Sequence, residues 1–117
     1  MSNYIHILIN NNFHHPNFGK LLYHRDIHNP NILHYSVQLN DWKSIAWQAI
    51  HSDRQKDTGR LAIWQIDWHR FHTAQWISYW EKQRINQALH TSVADFHERW
   101  QYELYRFNCE HWARLFS

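Results

Sequence analysis

The sequence predicts an α+β fold, in which a small antiparallel sheet packs against helices from the C-terminal half of one domain, residues 1–117. Residues 1–40 carry short runs of Ile, Val, Leu and Tyr between Asn/Pro clusters, a pattern typical of strands and turns. From Asp41 onward, apolar residues recur mostly at helical spacing. The 117 residues suffice for one core and make two independent cores unexpected.

The first 40 residues predict three strands. Residues 4–9 form the first apolar run. Residues 21–28 and 32–39 are separated by Asn-Pro-Asn at 29–31, and these three residue types favour a turn. We therefore expect the second and third strands to pair as a hairpin.

The middle of the chain predicts one helix and one further strand. Asp41 is a suitable N-cap, and the apolar residues that follow it have helical spacing: Trp42, Ile45, Ala46, Ala49 and Ile50. This helix is expected to end near Asp53, in a charged loop that contains Gly59. Residues 61–68 are rich in Ile and Trp, which favours a strand.

The last third of the chain predicts three helices. The first covers residues 73–89, where apolar side chains form a broad stripe. Ser92 and Asp95 form a capping pair that is expected to open the second helix. Asn108 is a good N-cap for a final short helix over residues 109–116.

Charge and cysteine content exclude several classes of protein. A formal net charge of +2 makes nucleic acid an unexpected partner, although the 12 histidines would add charge in mild acid. The single cysteine, Cys109, excludes an intramolecular disulfide and fits a reducing compartment. No apolar run approaches the length of a transmembrane segment. These observations predict a cytoplasmic domain with no cofactor.

Cys109 is the residue best placed for chemistry. If Asn108 caps the last helix, Cys109 lies in the first turn, where backbone N–H groups favour an anion. A thiolate is the nucleophilic form of cysteine, and a neighbouring imidazole could accept its proton. A lone cysteine can equally pack as a small apolar side chain, so the interpretation depends on the surrounding motif.

The motif resembles a known family. Residues 108–112 are Asn-Cys-Glu-His-Trp, similar to the Asn-Cys-Glu-His-Phe signature of lecithin:retinol acyltransferase-like (LRAT-like) proteins, a permuted branch of the NlpC-type, papain-like superfamily. That family also has a hairpin of the form His-x-Gly-Ile-Tyr, a Gly-rich turn, then Val-Ile-His-Tyr. Residues 24–28 are His-Arg-Asp-Ile-His here, and residues 32–35 are Ile-Leu-His-Tyr. The resemblance covers residues 20–40 and 92–116 and implies a papain-like core.

The resemblance implies a role for several residues. Cys109 would be the nucleophile, His24 the general base and His34 the group that orients the base. Three further residues near the nucleophile are predicted to take part in binding: Tyr105, Asn108 and Glu110. His28 competes with His24, because the two share one face of a strand. The sequence departs from the family at Asp26, where the family has Gly, and in the turn, which is not Gly-rich.

The implied activity is acyl transfer or hydrolysis through an acyl-thioester, on an ester, thioester or amide of an acyl-bearing small molecule or lipid. The alternative is a non-catalytic module that retains the fold and binds a protein partner.

Two weaker possibilities remain. Histidine pairs at 14/15, 24/28 and 69/72 could bind a metal, although no recognised ligand motif accompanies them. Tryptophans at 64–80 could stack on single-stranded nucleic acid, but core packing explains them better.

Overall fold

In the computed structural model, a five-stranded antiparallel sheet carries three helices, which confirms the α+β class. The structure describes residues 2–50, 58–74, 82–96 and 108–116. The strands are β1 (Leu21–Arg25), β2 (Leu33–Gln38), β3 (Lys43–Ile50), β4 (Thr58–Gln65) and β5 (His72–Thr73). The helices are α1 (Ser2–Asn12), α2 (Lys82–Phe96) and α3 (Cys109–Arg114). The strand order across the sheet is β4-β3-β2-β1-β5.

The predicted hairpin is confirmed. β1 pairs with β2 along its whole length, from Leu21 opposite Val37 to Arg25 opposite Leu33. This register places His24 directly opposite His34, so the two imidazoles lie side by side on one face of the sheet. Their ring centroids are 5.2 Å apart.

The sheet separates two apolar clusters of unequal size. Alternate residues along each strand point to opposite faces. One face packs against α2 and α3, and α1 packs on α2. Together they form the main core, with buried residues such as Val37, Trp47 and Leu89. The other face carries a small cluster of Leu22, Ile66 and Phe71.

Two predicted elements have the wrong secondary structure. Residues 4–9, predicted as a strand, lie in α1, because Ile5 and Ile9 share a helix face that packs on α2. The predicted helix after Asp41 is strand β3. Its residues 44–47 are all buried, since this strand lies inside the sheet with both faces covered.

The last third of the chain contains two of the described helices. The strand expected at 61–68 is confirmed at 61–65 as part of β4, which also includes Gly59, a residue expected in a loop. The final capped helix is confirmed as α3. The prediction that Ser92 opens a helix is wrong, because Ser92 lies inside α2, where its buried hydroxyl accepts a hydrogen bond from Trp112 Nε1 at 2.6 Å. The helix predicted over 73–89 overlaps α2 only at 82–89, and residues 75–81 lie outside the described residues. Tyr105 also lies outside them.

The helix layer also differs from the prediction in its origin. Helices from the C-terminal half were expected to cover the sheet alone, but α1 comes from the N-terminus and packs on α2. His6 and His90 stack across this contact, with ring centroids 4.7 Å apart and a hydrogen bond between their Nδ1 atoms. Both ends of the chain therefore contribute to one core.

Candidate functional site

Cys109 meets the sheet where β2 and β3 diverge. β3 pairs with β2 only where Ile45 and Ser44 lie opposite Val37 and Gln38, whereas it pairs with β4 along its whole length. The edge of β2 before Val37 therefore faces α3 instead of another strand. The Tyr35 backbone N–H donates to Cys109 Sγ at 3.4 Å, and Sγ lies 3.9 Å from the Leu33 carbonyl oxygen.

Asn108 fixes the start of α3. Its side-chain oxygen accepts hydrogen bonds from the backbone N–H groups of Glu110 and His111, at 3.0 and 3.2 Å. His111 Nδ1 accepts in return from the Asn108 backbone N–H at 3.1 Å, which completes a capping box. Glu110 bonds to Arg114 at 2.7 Å, one turn along the helix. These bonds hold Cys109 in the first turn of α3, as the sequence predicts.

His34 connects the thiol to a carboxylate. Its Nε2 lies 2.9 Å from Asp26 Oδ1. The pKa of His34 is raised above its ordinary value, mainly by a hydrogen bond with Cys109 and also by Asp26, while burial opposes the increase. The Asp26 carboxyl in turn has a lowered pKa, chiefly because of its hydrogen bond with His34. Cysteine, imidazole and carboxylate thus form a chain of three interacting groups.

Asp26 is held by the tip of the hairpin. Its Oδ2 accepts hydrogen bonds from the backbone N–H groups of His28 and Asn29, at 3.0 and 2.9 Å. The backbone N–H of Asp26 donates to the Ile32 carbonyl across the turn at 2.9 Å. Because one carboxylate oxygen caps the turn, the other stays directed at His34.

His24 lies beside this chain of groups and differs from His34 in its environment. Its ring stacks on Phe71 with centroids 4.1 Å apart, and the edge of Trp64 packs against it at 5.3 Å. Its buried Nδ1 has no hydrogen-bond partner among the described residues. Burial lowers the pKa of His24 to about 4, with help from the charges of His34 and Arg70 and against that of Asp26. His24 is therefore neutral at pH 7.

A cavity of about 590 Å³ opens onto the three interacting groups. Cys109, His34 and Asp26 line it, together with His24 and apolar side chains that include Leu33 and Trp64. Cys109 is only 3% exposed, so the sulfur lies at the inner end of the cavity and not on the outer surface. A small substrate can enter a space of this size and be shielded from water there.

Sequence reasoning brought the correct elements together but missed one residue of the site. His24, His34, Asn108, Cys109 and the neighbouring Glu110 all come from the hairpin and α3, which meet in the structure. Asp26 was noted only because it replaces a glycine of the family pattern. The available signal was an Asp three residues before the Asn-Pro of the turn, because an Asp at the start of a turn caps it with one oxygen.

The described residues offer neither a metal site nor a membrane-spanning helix. Within the described residues, no three His, Cys, Asp or Glu side chains are grouped closely enough to bind a metal ion. In the same part of the chain, no helix combines the length and apolar character needed to cross a membrane.

The chain was also compared with known proteins. No family model, no curated protein and no solved structure matches it. The similarity to LRAT-like proteins therefore rests on the motif residues alone, and membership of that family stays a prediction.

Proposed function

We propose that this protein is a thiol enzyme that transfers or hydrolyses acyl groups, with Cys109 as the nucleophile. The observation that carries the proposal is that Cys109 and His34 line one cavity. The Cys109 sulfur lies against the backbone of both residues that flank His34, and the His34 ring bonds to the Asp26 carboxylate. A nucleophile, a base and a group that orients the base are the parts that covalent acyl transfer requires.

The reaction would proceed in two steps. His34 takes the proton of Cys109, and the thiolate attacks the carbonyl carbon of an ester, thioester or amide. The C–S bond forms, the bond to the leaving group breaks, and His34 protonates the departing alcohol, thiol or amine. Water or an acceptor alcohol or amine then attacks the acyl-thioester, gives its proton to His34 and releases the thiolate. Asp26 keeps the His34 ring oriented and stabilises its cationic form throughout.

This proposal exchanges the roles that the family pattern implied for the two histidines. The pattern assigned the base to His24 and the orienting role to His34. The contacts favour His34 as the base, because the thiol raises its pKa, whereas His24 has a pKa of about 4 and stacks on Phe71. A base with so low a pKa would hold the thiol proton poorly. His28 is exposed at the turn and supports Asp26 through its backbone N–H.

The LRAT-like motif gives independent support and extends the proposal to the substrate class. It implies an acyl-bearing small molecule or lipid, and the apolar side chains around the cavity are compatible with either. A papain-like arrangement of the core belongs to the same proposal.

Acylation of Cys109 tests the proposed function directly. The chain is mixed with p-nitrophenyl acetate, and intact mass and peptide mapping locate any acetyl group. We expect one acetyl group on Cys109. His34→Gln should slow its formation by about a hundredfold or more, the usual contribution of general base catalysis. His72→Gln is the matched control, since His72 is exposed and does not line the cavity.

The alternative function predicts the opposite outcome. If Cys109 carries no acetyl group, or if His34→Gln acylates as fast as the unaltered chain, the enzyme proposal fails. A non-catalytic module that binds a protein partner would then be the better description.

A further inference from the structure

The cavity at Cys109 contains a positive charge that the proposed chemistry does not use. Arg70 lines the same cavity, close enough to His24 for its charge to act on that ring. A turn precedes it, in which the backbone N–H groups of Arg70 and Phe71 both donate to the Asp67 carbonyl. Its Nη2 donates to the Arg25 carbonyl at 3.0 Å. This bond uses one of the five N–H groups of a guanidinium and anchors the side chain in the wall.

No carboxylate in the described part of the cavity wall balances this charge. Asp26 is the acidic residue of that wall, and its oxygens already accept from His34 and from two backbone N–H groups of the turn. No ion pair joins Arg70 to an Asp or Glu among the residues that the structure describes. The charge of Arg70 acts inside the cavity, because it contributes to the lowered pKa of His24.

Much of the cavity wall that Arg70 and Cys109 share is apolar. Trp47, Trp64 and Leu33 contribute to it, as do the more exposed side chains of Ile27 and Ile32. A cation in a partly apolar cavity attracts an anion more strongly than one on an open surface, since less water screens it. The planar guanidinium matches a carboxylate with two parallel hydrogen bonds.

We propose that the acyl substrate carries a carboxylate that Arg70 binds while the reacting carbonyl lies at Cys109. The inference rests on the proposed acyl-transfer function and narrows its substrate class from any ester, thioester or amide to anionic ones. Arg70 is then a residue that determines specificity and takes no part in bond making.

Matched ester pairs test this inference. The mono-p-nitrophenyl ester of glutaric acid and p-nitrophenyl pentanoate have chains of the same length that end in a carboxylate or a methyl group. We expect a higher kcat/KM for the charged ester. In Arg70→Gln, the ratio of kcat/KM for the charged ester to kcat/KM for the neutral ester should fall by about tenfold or more, because a hydrogen-bonded charge is lost. Arg70→Lys should lower this ratio less, because it keeps the charge. Arg60→Gln is the control, because Arg60 is an exposed residue of β4 that does not line the cavity.

A second pair places the charge on the leaving group. 4-Acetoxybenzoate and 4-acetoxytoluene differ only in a carboxylate or a methyl group on the leaving phenol. A higher kcat/KM for 4-acetoxybenzoate that is lost in Arg70→Gln also supports the inference. If both pairs show equal kcat/KM, or if Arg70→Gln leaves both ratios unchanged, the inference is overturned while cleavage by Cys109 still supports the proposed function.

A binding measurement separates the two proposals when no ester is cleaved. Monomethyl glutarate is titrated into the Cys109→Ala variant, with and without Arg70→Gln, and NMR shifts of the Trp64 indole report binding. Binding that is about tenfold weaker in the Arg70→Gln variant supports the anion site, even if Cys109 cleaves no ester. Binding that is absent, or that does not depend on Arg70, overturns it. Circular dichroism of each variant confirms that it folds.

Discussion

Replacing His24 by Gln should make the protein more resistant to acid. The folded pKa of His24 is about 4, whereas the ordinary value, expected in the unfolded chain, is 6.5. Between these values the unfolded state binds a proton that the folded state does not. The contribution of His24 to stability is therefore fully present above pH 6.5 and is lost as the pH falls toward 4.

The size of this effect follows from the two pKa values. Taken in full, the difference between the unfolded and folded pKa of His24 would lower the unfolding free energy by ~3 kcal/mol between pH 7 and pH 4. The His24 ring is only half-buried, so solvent screening reduces this to ~1.5 kcal/mol. In His24→Gln this loss disappears, because the amide does not ionise.

Urea unfolding at pH 7 and at pH 4 measures the effect as a difference between variants. The unaltered chain should lose ~1.5 kcal/mol more unfolding free energy over this interval than His24→Gln does. The exposed His72→Gln serves as the control and should behave as the unaltered chain. Equal losses for all three proteins would refute the argument that burial keeps His24 neutral. His34 titrates with the opposite sign, since its raised pKa stabilises the fold at low pH. Because the charge of His34 contributes to the lowered pKa of His24, the measured difference includes the coupling between the two rings.

Two further substitutions test the local structure around the site. Asn108→Ala removes the acceptor for two backbone N–H groups of α3 and should lower the unfolding free energy by about 1–2 kcal/mol. Asn108→Ser should retain most of the stability, because Ser is also a good N-cap. Equal stability of the two variants would contradict the capping role. Gly59→Ala places a Cβ 1.7 Å from Trp47 Cζ2 and should cost about 3 kcal/mol in urea unfolding. A cost below ~0.5 kcal/mol would mean that the Trp47 ring does not lie over Gly59.

The elements that the sequence predicts correctly are those with a local cause. The turn at 29–31 carries its own turn residues, and the strands on either side pair as expected. Asn108 caps α3 through bonds that lie within three residues of it. These features form wherever the chain places such residues, because their partners are close in sequence.

The elements predicted wrongly depend on distant partners. Residues 4–9 have the composition of a strand, but Ile5 and Ile9 are buried against α2, about 80 residues further along the chain. In β3, Ser44 and Ala46 are as buried as Ile45 and Trp47, so the alternation that identifies a strand is hidden. Tertiary packing decides both elements, and no window of local sequence contains that information.

In the candidate site too, the local motifs could be predicted from the sequence, whereas the contacts between distant residues could not. The motif around Cys109 and the two hairpin histidines could be found from sequence, because a family resemblance pointed to them. Which histidine meets the thiol depends on where β3 leaves β2, and that divergence exposes the edge of β2 to α3. The contribution of Asp26 depends on the shape of the turn that holds it.

The pKa of His34, measured by NMR titration of its ring protons, tests the thiol–imidazole pair most directly. The resonance is assigned by its loss in His34→Gln. We predict a clearly lower pKa for His34 in Cys109→Ala than in the unaltered chain, and a lower one also in Asp26→Asn, because both partners raise it. An unchanged His34 pKa in Cys109→Ala would mean that the sulfur and the imidazole do not interact, and would contradict the proposed nucleophile and base.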